Sequence, residues 1–325
     1  MKKNRITLLF VILFVVLLGC NDNHNLSDQN LTGINTLSYT DVVFYSEKDT
    51  VLVSTYSGRI SKRIKNQDDE KLVIQLNDEV YSLQFLKSKN AVIASTLNSG
   101  VLIIDVSSGL ISKQLKTNKN AWINSIKLSN DDSYLLGFDT KGNNYIWDLN
   151  NGYQKLDLTK ALAKSYIRHS DKFGALYFQK SNKYVKWNIN NRKIEKEYSV
   201  DGKLTDIDDN GDLLLLNFNE FQIFGLESDS IIYKRKHPYY IYKFQNGDTL
   251  HDPYHLKLTD ALFGKSKIYT SSLDQSIRVW NKTDGRLIDE WYTHNGTISA
   301  LDIADNQKQM VSVDLKGKIK FWNLD

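Results

Sequence analysis

The sequence predicts an all-β fold, a β-propeller of seven four-stranded blades, and three observations carry that expectation. Strand-like stretches alternate apolar and polar residues with period two between Asx/Gly turns, the pattern of half-buried antiparallel strands. One such strand, Ser276-Ile277-Arg278-Val279-Trp280, is replayed 42 residues later as Lys318-Ile319-Lys320-Phe321-Trp322. Helical periodicity is nowhere sustained; Leu156–Ser165 has room for one short turn.

In chain order, Met1–Arg5 is basic, and Ile6–Leu18 is apolar apart from Thr7. That run is shorter than the roughly 20 residues of a spanning helix and reads as a signal-peptide core, residues 1–19. It ends Val16-Leu17-Leu18-Gly19-Cys20, which resembles the lipobox of bacterial lipoproteins. The resemblance implies lipidation of Cys20 and an extracytoplasmic, membrane-anchored protein of the cell envelope. An ordinary signal peptide and an uncleaved anchor are the alternatives. Cys20 is the only cysteine, so no intrachain disulfide can form. Residues 20–32 are polar and aperiodic and read as a flexible tether.

Residues 33–325 carry the repeat. Taking Trp280 and Trp322 as markers, equivalent positions fall at Lys62, Ile104, Trp147, Trp187 and Phe224. The intervals are 42, 43, 40, 37, 56 and 42 residues, near a 41-residue period with one oversized gap. Each unit reads as an apolar strand such as Tyr81–Phe85 or Ile298–Ile303, a polar turn, and a second apolar strand. The marker strand and a more polar fourth strand follow. Four antiparallel strands per period of this length make a propeller blade.

The chain is similar to the WD-repeat family over essentially residues 33–325. The Trp-Asp pair stands as Trp147-Asp148, and as Trp-Asn at Trp187-Asn188, Trp280-Asn281 and Trp322-Asn323. His294 fits the family's histidine-to-strand spacing. Ser272 and Asp274 fit its hydroxyl and turn aspartate, six residues before Trp in the latter case. Asp139 and Asp314 lie eight residues before their Trp instead, and no single blade is expected to assemble the family's full hydrogen-bonded His, Ser/Thr, Asp and Trp set. Ser272, Asp274, Trp280, His294, Trp147, Trp187 and Trp322 are therefore expected to be structural.

The last unit ends after its third strand, and Gly33–Tyr39 is expected to supply the fourth, leaving no open edge. The 56-residue interval contains an insertion at about 237–255, rich in tyrosine, which leaves six or eight blades compatible with the pattern. Its Tyr239, Tyr240 and Tyr242 form one candidate binding surface, since long loops on repeat scaffolds often carry function. The alternative is a decorated hairpin packing its own tyrosines. Trp122, just before a first strand, is a second candidate, at a place that in WD-repeat proteins rims the central channel. Packing between blades is its alternative. Glu79, Lys203 and Thr297 fall at similar phases.

Metal readings are weak. His251 and His255 have a helical ligand spacing, but Pro253 lies between them. Asp206-x-Asp208-x-Asn210-Gly211 resembles the opening of a calcium loop, but Leu214 and Asn217 stand where further ligands belong, and a hairpin turn requires the same residues. No catalytic motif, cofactor motif or metal set is present. Without the leader the chain has 39 basic and 38 acidic residues, interspersed, which gives no footprint for nucleic acid. The expectation is a lipid-anchored scaffold for other proteins, such as an envelope-assembly or secretion accessory, without enzymatic activity. The alternative is a periplasmic propeller that binds a small molecule or glycan, with or without catalysis.

Overall fold

The computed structural model describes residues 38–46, 49–162, 164–238, 241–243, 245–251 and 256–324. The leader, Cys20, the tether and residues 33–37 lie outside them. Blade one is β1 (Tyr39–Ser46), β2 (Thr50–Thr55), β3 (Arg59–Ile64) and β4 (Glu70–Gln75). Blade two is β5 (Val80–Leu86), β6 (Ala91–Thr96), β7 (Val101–Asp105) and β8 (Ile111–Leu115). Blade three is β9 (Ile123–Leu128), β10 (Tyr134–Asp139), β11 (Asn144–Asp148) and the short β12 (Gln154–Lys155). Blade four is β13 (Tyr166–Ser170), β14 (Ala175–Lys180), β15 (Lys183–Asn188) and β16 (Lys193–Tyr198). Blade five is β17 (Lys203–Ile207), β18 (Leu213–Asn217), β19 (Glu220–Gly225) and β20 (Ser230–Lys236). A separate hairpin, β21 (Ile241–Lys243) and β22 (Thr249–His251), follows. Blade six is β23 (Leu258–Phe263), β24 (Lys267–Ser272), β25 (Ile277–Asn281) and β26 (Leu287–Trp291). Blade seven has, among the described residues, β27 (Ile298–Ile303), β28 (Gln309–Asp314) and β29 (Ile319–Asn323). Each sheet is an antiparallel meander in sequence order. Short 3₁₀ turns at Lys87–Lys89 and Lys160–Leu162 are the helical segments among the described residues, the second inside the stretch expected to turn.

Seven apolar clusters fill the seven seams between blades, the last joining Val51 and Val53 of blade one to Val311 and Val313 of blade seven. The ring is thereby closed through side-chain packing. The marker tryptophans are the wedges in these seams. Trp147 packs with blade two, Trp187 with blade three, Trp280 with blade five and Trp322 with blade six. Trp280 meets Phe221 edge-on at 5.1 Å, and Trp322 stacks on Trp291 at 4.3 Å. Losing such a wedge costs about 3–5 kcal/mol.

Two sequence expectations change. The blade-one marker is Arg63, not Lys62: Arg63 pairs with Val51 as Ile104 pairs with Val92 and Trp147 with Leu135. The polar strand lacked an aromatic to set its phase. Tyr39, assigned to a closing strand, begins the first strand of blade one and pairs with Thr55. The rest of that assignment, 33–37, lies outside the described residues. β29 is only half-buried, whereas the third strands of blades two and six are almost fully buried.

Every first strand carries a β-bulge near its start. A bulge re-aims the extra residue, and here Thr40, Tyr81, Arg168, Thr205, Thr259 and Ser299 all turn to a central channel of about 250 Å³. The links that enter the first strands and the turns between second and third strands gather at one end, the mouth of the channel.

Candidate functional site

The residues expected to be structural build hydrogen-bonded struts that hold the mouth in shape. In blade seven all four elements assemble, correcting the expectation that no blade does so. Trp322 Nε1 donates to Ser312 Oγ at 2.8 Å, Ser312 Oγ meets His294 Nε2 at 2.7 Å, and His294 Nδ1 meets Asp314 Oδ2 at 3.0 Å. Asp314 also accepts the backbone N–H groups of Asn295, Gly296, Lys316 and Lys318. Burial pushes this carboxyl up, but His294 and those N–H groups outweigh it and hold it well below the usual carboxylate range. Eight residues before Trp is therefore the working spacing. Asp139 uses it in blade three, with the Tyr145 hydroxyl donating at 2.9 Å in place of a histidine.

In blade six the strut is Trp280 Nε1 to Thr270 Oγ1 at 2.9 Å and Thr270 Oγ1 to His237 Nε2 at 2.6 Å. Ser272, not Asp274, takes the position of Asp314, since Ser272 pairs with Leu258 as Asp314 pairs with Ile298. Asp274 reaches the histidine through Arg278, whose Nη1 lies 2.6 Å from His237 Nδ1 and 2.7 Å from Asp274 Oδ2. His237, assigned from sequence to the insertion, is thus the anchor of blade six. His294, expected as a structural residue ahead of the strand at Ile298, serves blade seven. Trp187 packs fully buried, its Nε1 without a hydrogen-bond partner among the described residues.

At the mouth, Trp122 is half-buried and joins an aromatic strip crossing three blades. It stacks on Tyr81 at 6.4 Å and 27°, and Tyr81 meets Tyr56 edge-on at 5.8 Å. Tyr56 is 43% exposed. The Tyr81 hydroxyl donates to Glu79 at 2.7 Å, which orients the ring. Phe138 of blade three and Tyr166 of blade four form a second aromatic pair, with the Arg168 guanidinium 4.6 Å above Phe138. Phe218, at the tip of the β18–β19 turn, is 63% exposed with φ of 41°. An exposed bulky residue in left-handed backbone is uncommon and marks a surface worth testing. Tyr239 and Tyr240 lie outside the described residues, as do His255 and the side chains of His251 and Tyr242. Tyr242 lies on β21 opposite Leu250.

Around the channel stand first-strand carboxylates whose role as latches no motif in the sequence announces. First strands face the channel with unpaired N–H groups, which need acceptors. Asp302 accepts Phe44 N–H at 2.7 Å, Asp41 accepts Leu83 N–H at 2.7 Å, and Asp206 accepts Phe263 N–H at 2.8 Å. Asp260 accepts from Leu301, and Gln84 from Leu128 at 3.1 Å. Each latches one blade to the next. Burial pushes the Asp41 carboxyl up to about 6 and that of Asp302 up to about 7, and raises Asp206 and Asp260 as well. A signal existed: an aspartate inside each of several otherwise apolar first strands.

Asp206 and Asp208, read together as a calcium-loop opening, point to different tasks. Asp206 forms a channel latch, while Asp208 accepts Asn210 and Asp212 N–H groups in the turn and pairs with Lys282 at 2.9 Å. Apart from Asp206 on blade five, which is not among the lining residues, charge along the channel is segregated. Asp41, Asp260 and Asp302 stand on blades one, six and seven; Lys127, Arg168 and Lys203 stand on blades three, four and five.

The family model described as WD domain, G-beta repeat matches residues 285–323. That span covers β26 and blade seven, so the sequence repeat is offset from the blade by one strand. No curated protein matches the chain. Among solved structures, the β-propeller domain of Cps50 (Swd1) from Myceliophteria thermophila is similar, with a TM-score of 0.71 and 12% identity. The match covers 90% of this chain and 98% of that one. At such identity the likeness shows the fold alone. The chain is a seven-bladed β-propeller with a WD40 repeat matched at 285–323, and WD40 propellers generally act in protein–protein interaction.

Proposed function

We propose that this protein is a non-enzymatic, lipid-anchored scaffold outside the cytoplasm that binds other proteins at the mouth of the ring. The observation that carries the binding surface is the Tyr56–Tyr81–Trp122 strip. Large rings held by their own packing lose little conformational entropy on docking, and Trp and Tyr dominate binding energy at interfaces. The anchor rests on the sequence before Cys20, with a basic start and an apolar core too short to span. A role as an envelope-assembly or secretion accessory is the specific form of this reading, by analogy with the fold.

The alternative, a small molecule or glycan in the channel, has carboxylates converging there. Those carboxylates, however, already accept backbone N–H groups, so they are structural latches rather than vacant receptors. Co-purification from membranes with the native anchor tests the scaffold. Trp122→Ala should remove most co-purifying protein while the unfolding transition stays in place; an unchanged set would refute the mouth as the docking face. Cys20→Ser should release the protein or stall it as an unprocessed precursor, and unchanged membrane retention of the processed form would refute the anchor.

A further inference from the structure

We infer that the partner docks through an acidic segment, with an Asp or Glu side chain held at the mouth by Arg168, Lys203 and Lys257 and its neighbours laid on the Tyr56–Tyr81–Trp122 strip. This rests on the reading of the mouth as the docking face. Three observations carry it. First, the cations come from successive blades and act on one another: Arg168 and Lys203 line the channel on blades four and five, and Lys257, just before β23 of blade six, lies near enough to Lys203 to repel it. Second, each keeps donors available. Lys203 and Lys257 are exposed, and neither side chain makes a hydrogen bond or ion pair among the described residues. Arg168 donates its Nε to Gln179 Oε1 at 2.9 Å, and its two terminal nitrogens make no bond among the described residues.

Third, the cations crowd one another. Although part of Lys203 is open to solvent, the atoms packed around it desolvate the ammonium, and that, then the neighbouring Arg168, Lys257 and Lys127, hold it below the usual lysine range against the opposing pull of Asp260. Asp260 is the counter-charge that pulls on it, but that carboxylate is engaged by the N–H groups of Ala261 and Leu301. An incoming carboxylate relieves that repulsion and gains charge-assisted hydrogen bonds in a partly desolvated cleft. The chemistry fits a protein carboxylate better than a nucleic-acid backbone. The cations occupy only one arc of a narrow mouth, which suits the one or two carboxylates of a short acidic segment rather than a phosphate at every backbone step. Tyr81 of the aromatic strip lines the channel, as does Phe138 beneath the Arg168 guanidinium, so one extended segment can touch both strip and cations.

The test uses the full-length protein and fluorescein-labelled octaglutamate, with octaglutamine and octalysine as controls, read by anisotropy. Octaglutamate should bind about tenfold or more tightly than octaglutamine, and added salt should weaken it. The exposed double variant Lys203→Gln/Lys257→Gln, whose unfolding transition should match wild type, should lose most of that advantage. Octaglutamate binding no better than octaglutamine, or binding untouched by the double variant, overturns the proposal. So does displacement by an oligonucleotide of equal charge more readily than by excess unlabelled octaglutamate. The two readings separate cleanly. If Trp122→Ala strips the co-purifying proteins while the lysine double variant keeps them all, the docking face stands and the acidic partner falls. If neither variant changes that set and octaglutamate does not bind, both fall.

Discussion

Blades six and seven solve one problem with different chemistry. Both brace a seam tryptophan through a hydroxyl ten residues earlier and a histidine before the first strand. In blade seven, Nδ1 of His294 faces a carboxylate and must carry the proton. In blade six, Nδ1 of His237 faces an arginine, which can only donate, so its proton sits on Nε2. Burial, then Arg278, accordingly push the His237 imidazole well below its ordinary range. The separation differs too: His294 is 18 residues from Ser312, whereas His237 is 33 residues from Thr270. The extra length is the insertion, spliced between the histidine and the strand it serves. A strut therefore tolerates a long insertion if its two ends still meet, and a displaced aspartate if an arginine spans the gap.

The largest effect should come from the aspartates. Asp314→Ala leaves a buried histidine and several turn N–H groups unpaired and should cost about 3–5 kcal/mol in urea unfolding. Asp274→Ala should cost less, about 1–3 kcal/mol, because Arg278 keeps Glu290 at 2.6 Å. Equal losses would mean that the arginine relay is no substitute and that blade six depends on Asp274 directly.

A pH series sharpens the contrast within blade seven. Asp314 is held below its unfolded value, so its contribution is present above the carboxylate range and is lost as pH falls through it. Asp302 has the opposite sign. Raised to about 7, it contributes fully below its unfolded value and loses that contribution as pH rises through the folded one. Asp302→Asn removes the second dependence alone. Between about pH 4 and about pH 8, wild type should lose on the order of 2–4 kcal/mol relative to this variant. A constant difference across that range would show that the carboxyl is not buried as a latch.

The smallest effect concerns the insertion. Replacing residues 239–255 with a short Gly/Ser link keeps His237 and Leu258 and should change stability by less than about 1 kcal/mol. A loss as large as that of Asp274→Ala in thermal unfolding would make the hairpin part of blade six.

The scaffold was legible because its signal is local. Period-two alternation, turn residues and tryptophans at Trp147, Trp187, Trp280 and Trp322 mark strands and seams without reference to distant residues. The mouth was partly legible, since Trp122 stands out at the entrance to a first strand. Its partners Tyr56 and Tyr81 did not, because they come from two other blades and meet only when the ring is formed. The same reason hid His237, whose partner lies beyond an insertion, and the phase of Arg63, which lacks an aromatic marker.

By itself, then, the sequence determined the repeat, the strand order and the wedges, since each is written within a single period of the chain. The tertiary structure decided the rest: which histidine braces which blade, which aspartates latch neighbouring first strands, and how charge divides around the channel. Those outcomes depend on closing a ring that brings residues from all seven blades to one axis. Seen one period at a time, Asp41, Asp260 and Asp302 are single polar residues in apolar strands; only closure turns them into an acidic arc facing Lys127, Arg168 and Lys203.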